Sequence, residues 1–182
     1  MTKTVGIDRL QIQGGEPLTC SNLHKVVKAT LDMPIKHIDI ASNGTIIPDD
    51  LLLSTIKMLG DRGSFHISNY DCVDESRKSA VEKKVKEYGI DFYKYEYLYG
   101  TGTWFDSGKD NENRIDDDEL LKKSYSTCSN HNCWVLAENS FVCCGKILTL
   151  MELKKSDDFS ANNIINVGKA RKDKRDFFYP EE

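Results

Sequence analysis

Leu10-Gln11-Ile12-Gln13-Gly14-Gly15-Glu16-Pro17 is a strand pattern that runs directly into two glycines, a carboxylate and a proline. Glycine permits backbone torsions and close approaches that a Cβ forbids. The turn is therefore expected to face a ligand, with Glu16 presenting charge and acceptors at the strand's C-terminal edge. An ordinary strand-to-helix turn with a solvated Glu16 accounts for the same residues equally well.

Outward from this turn the alternation of strand and helix repeats. Ile35 to Gly44 reads as a second buried strand that ends in Ser42-Asn43-Gly44-Thr45. A third, Ser64 to Ser68, ends in Asn69-Tyr70-Asp71 before a helix from about Glu75 to Tyr88, and Ile90 to Tyr95 reads as a fourth. Between the first two strands, Ser21 is the expected N-cap, with Leu23, Val26, Val27, Thr30 and Leu31 as the core stripe before Pro34 halts the helix. Asp49 or Asp50 opens the next helix, where Leu52, Ile56 and Leu59 point inward and Gly60 and Gly63 close it. This alternation predicts βαβ units and a parallel sheet, in which ligands sit outside the carboxyl ends of the strands. Four such strands form an arc of barrel with open edges, and an open parallel edge calls for a further strand or a partner.

A strand followed by Gly14-Gly15-Glu16-Pro17, a strand followed by Ser42-Asn43-Gly44-Thr45, and a strand ending in Ser68 with Tyr70 and Asp71 nearby resemble, in order and spacing, the radical S-adenosylmethionine superfamily. The resemblance covers about Asp8 to Leu150. It implies a partial (β/α) barrel, a partial TIM barrel, that binds S-adenosylmethionine against an iron-sulfur [4Fe-4S] cluster. Reductive cleavage of the sulfonium there gives a radical that abstracts hydrogen from a substrate. By the same resemblance, Gly14, Gly15, Glu16 and Pro17 receive the methionine ammonium, Ser42 and Asn43 contact cofactor or substrate, and Ser68 lies near the ribose or methionine carboxylate. The protein then supplies position and exclusion of water, and no acid or base residue is expected to be catalytic.

The family's cluster is held by three cysteines, separated by three and then two residues, in the loop after the first barrel strand. Only nine residues precede Leu10 and none is cysteine, while Cys20 and Cys72 stand without that spacing. The expectation is an N-terminally incomplete member, whose missing segment or partner chain supplies the cluster and which is inactive alone. A degenerate scaffold that binds a peptide, a sugar-linked substrate or a partner enzyme is the alternative, and a small zinc-binding protein is another.

The second half carries a separate signal. Asp116 to Tyr125 reads as a short helix anchored by Leu120 and Leu121, and four of the six cysteines fall within the seventeen residues from Cys128 to Cys144. Trp134 to Leu136 and Phe141 to Cys143 read as a hairpin around Glu138-Asn139. Thiolates on a loop and a returning strand can converge on one metal centre. The arrangement of Cys128, Cys133, Cys143 and Cys144 is similar to the cysteine-rich extension of many radical S-adenosylmethionine proteins, which holds an auxiliary iron-sulfur cluster. Cys128, Cys133 and Cys144 match best; Cys143, His131 or an external ligand completes the set, zinc uses the same residues, and buried unligated thiols remain an alternative.

Composition bounds the rest. At 182 residues the chain holds one domain with a small appendage, here divided at 1–105 and 106–182. A formal charge of −4 gives no electrostatic case for nucleic acid, and the basic residues from Lys78 to Lys86 alternate with acids as on a solvated helical face. No segment approaches the roughly 18 apolar residues of a membrane span, and a reducing cytoplasm is the default location for such thiols. His24, His37 and His66 are assigned to surface or sheet packing. Trp104, Phe105 and Asp106 follow the last strand and are candidates for substrate contact or loop packing. The run from Lys169 to Arg175 is a frayed end or a docking segment.

Overall fold

The structure is a computed structural model that describes residues 6–95, 115–128, 133–137, 140–142, 144–145 and 164–166. The chain divides into two compact units, chiefly Lys3–Phe105 and Asp106–Glu182. In the first, strands and helices alternate as β1 (Ile7–Ile12), α1 (Leu23–Ala29), β2 (Ile35–Ser42), α2 (Asp50–Lys57), β3 (Gly63–Ser68), α3 (Glu75–Glu87) and β4 (Asp91–Tyr95). The strands form one parallel sheet in the order β1-β2-β3-β4. The unit is thus α/β with a four-stranded parallel sheet.

Successive strand residues point to opposite faces, and the two faces differ in chemistry. Leu10, Ile12, Ile38, Ile40, Phe65, Ile67 and Phe92 pack with Leu23, Val27, Leu52, Leu53, Ile56, Val81 and Val85 of the helices in one apolar core. The other face carries Arg9, Gln11, His37, Asp39, Ser64, His66 and Tyr93, which the strand register sets side by side. Each fully buried aliphatic or aromatic side chain stabilises the fold by about 1.5–3 kcal/mol. A slip of one residue would exchange the two sets, so the register is strongly specified.

Helix ends follow from their caps, with one exception to expectation. Asp49 accepts from Leu52 N at 2.7 Å and Asp74 from Ser76 N at 2.7 Å, starting α2 and α3. Helix α1 instead begins after Asn22, whose side chain makes no capping bond, so Ser21 is not the cap. Val26, expected in the core, is 47% exposed. The seven-residue helix buries one stripe, Leu23 and Val27, and Val26 lies about 100° round the axis from Val27.

Two long cations tie the ends of the sheet. Arg62 donates from its guanidinium to Leu31 O at 2.8 Å, Ile35 O at 3.0 Å and Met33 O at 3.1 Å, satisfying carbonyls of the α1–β2 connection and of the first residue of β2. Lys78 departs from the solvated face expected of it and is 2% exposed. Its stem lies in the core while Nζ reaches Asn69 Oδ1 at 2.7 Å, Tyr70 O at 3.2 Å and the Glu75 carboxylate.

In the second unit, α4 (Asp118–Thr127) is capped by Asp117, which accepts from Leu120 N at 2.8 Å. Leu120 and Leu121, expected as its anchor, are about half exposed. Strand β5 (Val135–Ala137) pairs antiparallel with β6 (Ser140–Val142), and β7 (Ile164–Asn166) pairs antiparallel with β6, a strand with no signal in the sequence reading. Glu138, Asn139, Trp104, Phe105, Asp106 and the basic run at 169–175 lie outside the described residues. Among the described residues, no helix is long and apolar enough to cross a membrane.

A Cβ on Gly63 would lie 2.9 Å from Ile56 O and 3.0 Å from Leu59 Cβ, where β3 starts against the end of α2. Gly63→Ala is therefore expected to destabilise the fold by about 1–3 kcal/mol through overpacking. A lowered urea midpoint at unchanged slope is the measurement; an unchanged midpoint would mean that the helix end yields freely.

Candidate functional site

The Gly14 to Pro17 turn is built from its carboxylate outward. Pro17, buried, opens a short 3₁₀ turn over Pro17–Thr19, and Glu16 caps it, its Oε1 accepting from Leu18 N at 3.0 Å. The same Oε1 accepts from Ser42 Oγ at 3.0 Å, and Oε2 accepts from Asn43 N at 2.7 Å. One side chain thereby ties the end of β1 to the end of β2. Charge-assisted bonds of this kind are about twice as strong as neutral ones. A carboxylate has about four acceptor positions, and these three donors leave the Oε2 side of Glu16 with capacity for one more.

The glycines behave differently from the torsional expectation. Neither Gly14 nor Gly15 takes a left-handed torsion, and a Cβ on either would meet nothing within 4 Å. The fold itself therefore does not require them, and the backbone beside them is open to approach. Gly44 is where the conformation demands glycine: its φ is +78°, and a Cβ there would lie 3.4 Å from the stem of Lys78.

Ser42 and Asn43 serve the turn rather than project from it. Ser42 gives its proton to Glu16 and accepts from Gly44 N at 3.1 Å. Asn43 Oδ1 accepts from Thr45 N at 2.9 Å and Thr45 Oγ1 at 2.6 Å, and only its backbone N–H reaches Glu16. Glu16, Ser42 and Asn43 are thus brought together. Ser68 is not: the pairing of Ser42 with Ile67 puts Ser42 on the helix side of the sheet, whereas Ser68 follows Ser64 and His66 on the polar side.

On that polar side lies a cluster the sequence reading did not single out. Asp39, fully buried, accepts from Ser64 Oγ at 2.9 Å on Oδ1 and from Gln11 Nε2 at 3.1 Å on Oδ2. His66 Nδ1 lies 2.8 Å and the Arg9 guanidinium 3.5 Å from Oδ2. The His66 contact is one of ion-pair distance and not of hydrogen-bond alignment, since buried Nδ1 has no aligned partner. Because the single Ser64 proton goes to Asp39, His37 Nε2, 2.9 Å from Ser64 Oγ, is the donor in that pair. The His66 ring stacks on Tyr93 at 4.9 Å between centroids, and the Tyr93 hydroxyl accepts from Arg9.

Burial pushes the Asp39 carboxyl up, but contacts with His66, Gln11 and Ser64 outweigh it and hold Asp39 below the ordinary range. Burial first, and then the Asp39 charge, push the Tyr93 phenol up. His37 and His66 were assigned to packing; the available signal was the period of two in which Arg9 and Gln11, His37 and Asp39, and Ser64 and His66 fall on one face of adjacent strands.

Cys128 and Cys133 are exposed, and Cys144 is half-buried with φ +114°. Cys143 and His131 lie outside the described residues. Among the described residues, no group of His, Cys, Asp or Glu side chains is arranged to hold a metal ion. Cys20 and Cys72 are exposed thiols in the first unit.

No protein-family model, curated protein or solved structure matches this chain.

The lowered pKa of Asp39 makes its contribution to stability fully present above the unfolded carboxyl value of about 3.9. That contribution is lost as pH falls through the lower folded value. Asp39→Ala is expected to destabilise the protein at neutral pH by about 3–5 kcal/mol, as for breaking a buried pair. The variant should also lose part of the wild-type decline in stability below pH 4. Urea unfolding across pH measures both, and parallel pH profiles for the two proteins would contradict the assignment.

Proposed function

We propose that this chain is a partial barrel of radical S-adenosylmethionine type, whose Gly14 to Pro17 turn receives the methionine end of S-adenosylmethionine. The observation that carries the reading is the Glu16 carboxylate, fixed at the C-terminal edge of a parallel sheet by Leu18 N, Ser42 Oγ and Asn43 N, with acceptor capacity remaining on its Oε2 side. That is where α/β folds seat ligands. A carboxylate held by three donors is preorganised to accept from an ammonium without rearrangement. Open space beside Gly14 and Gly15 lets a ligand approach the backbone carbonyls directly.

In this reading Ser42 and Asn43 position Glu16, and Ser68 meets the ligand from the polar side of the sheet. S-adenosylmethionine, bound to a reduced cluster, would supply radical hydrogen abstraction. The residues of this chain do not fit the catalytic cluster, because the family's three-cysteine spacing is absent from the sequence. The chain is therefore assigned the cofactor-binding part of the function, with cluster cysteines supplied by another segment or chain and a substrate left to the shared site. An auxiliary [4Fe-4S] site on Cys128, Cys133, Cys143 and Cys144 belongs to the same proposal. Exposed thiols at Cys20 and Cys72 suit the reducing cytoplasm in which it would work.

The second reading, a non-catalytic scaffold that binds a substrate or partner, is favoured by the same missing cysteines. S-adenosylmethionine added at millimolar concentration to the ¹⁵N-labelled protein is expected to shift the amides of residues 14–16 and 43–44, and Glu16→Gln to abolish those shifts. Shifts that survive the substitution, or a spectrum unchanged at saturating ligand, would remove the cofactor assignment and leave the scaffold reading.

A further inference from the structure

We propose that Asp39 and His66 form a proton-accepting site on the polar face of the sheet, in which His66 Nε2 takes the hydroxyl proton of an uncharged, hydroxyl-bearing ligand. The inference does not depend on what Glu16 binds. A carboxylate oxygen 2.8 Å from Nδ1 disfavours a lone pair there, so the ring proton sits on Nδ1 and the basic lone pair on Nε2. A buried aspartate hydrogen-bonded to Nδ1 sets the tautomer of a catalytic histidine in this way; here the carboxylate acts by its 2.8 Å proximity, without an aligned bond.

The aspartate is itself well fixed. Ser64 holds Oδ1, Gln11 holds Oδ2, and Asp39 is completely buried. His66 is 5% exposed and flat against Tyr93, so the ring is held by stacking while its Nδ1 keeps no aligned hydrogen bond.

The neighbours of His66 follow from the register. His66 has Tyr93 beside it on β4 and Ala41 beside it on β2. The methyl group of Ala41, part-exposed, is the smallest side chain in that row, one step below the strand ends. Among the described residues, the charged and titratable groups around the ring are Asp39 of β2, Tyr93 and Tyr95 of β4, and Arg9 of β1 acting on Asp39. Among the described residues, Arg9 lies 3.5 Å from Asp39 and offsets its charge, so this part of the face suits a neutral hydroxyl rather than an anion. On transfer the proton passes from the ligand oxygen to Nε2, the O–H electron pair stays on oxygen, and the imidazolium is stabilised by Asp39. Return of the proton restores both groups.

Two measurements on the full wild-type chain test this. Histidine ¹⁵N shifts should report the Nδ1–H tautomer for His66, and diethyl pyrocarbonate, a small uncharged reagent, should carbethoxylate His66 at a rate comparable with that of half-buried His24. Asp39→Asn should return His66 to the Nε2–H tautomer, and Ser64→Ala, which removes one bond to Asp39, should leave the Nδ1–H tautomer in place. An Nε2–H tautomer in the wild type overturns the proposal, as does a His66 left unmodified when His24 has reacted completely.

Discussion

The Asp39 carboxylate organises one whole side of the sheet. A buried charge is tolerated only when paired and hydrogen-bonded, and Asp39 collects its partners from the strands on either side: Gln11 and Arg9 from β1, Ser64 and His66 from β3. These contacts exist only in the observed register. The requirement to satisfy one anion therefore reinforces what the hydrophobic face already specifies, and the two faces choose the same alignment for opposite reasons.

The ends of the sheet are managed by different groups. At the carboxyl end, Glu16 joins the β1 turn to the β2 turn, and Lys78 joins the loop after β3 to the helix that follows, with Gly44 packed on its stem. At the amino end, Arg62 gathers three carbonyls of the α1–β2 connection and of the first residue of β2. Polar groups near the sheet's ends are thus closed by long side chains from elsewhere in the sequence. The C-terminal rim keeps open backbone beside Gly14 and Gly15.

The strands of the first unit were legible because Ile38 and Ile40 in Ile35 to Ser42, and Phe65 and Ile67 in Gly63 to Ser68, recur every second residue between turn residues. The cap at Asp49 follows from local hydrogen bonding, whereas Ser21 and Val26 misled because a two-turn helix has little periodicity to read, and the cap at Asp74 emerged only in the structure. Lys78 was hidden, since composition places lysine in solvent and only tertiary packing reveals a snorkelling stem. Glu16 was legible as a turn residue, but its partners Ser42 and Asn43 act through a hydroxyl and a backbone N–H whose direction no sequence pattern gives. The Asp39 cluster was missed for a related reason. Its members are spread over four strands, and they meet only once the register is known.

Each strand of the sheet lies beside the one that precedes it in the chain. Every pairing is then made by closing one short excursion through a helix, with no strand inserted between two already paired. Loop-closure entropy grows slowly with length, and topologies with local pairings fold faster than those with distant ones. Such an order allows the sheet to assemble progressively, one strand and helix at a time, as the chain emerges. The Asp39 charge takes its donors from the strands on either side, β1 and β3, each one helical crossover away in the chain.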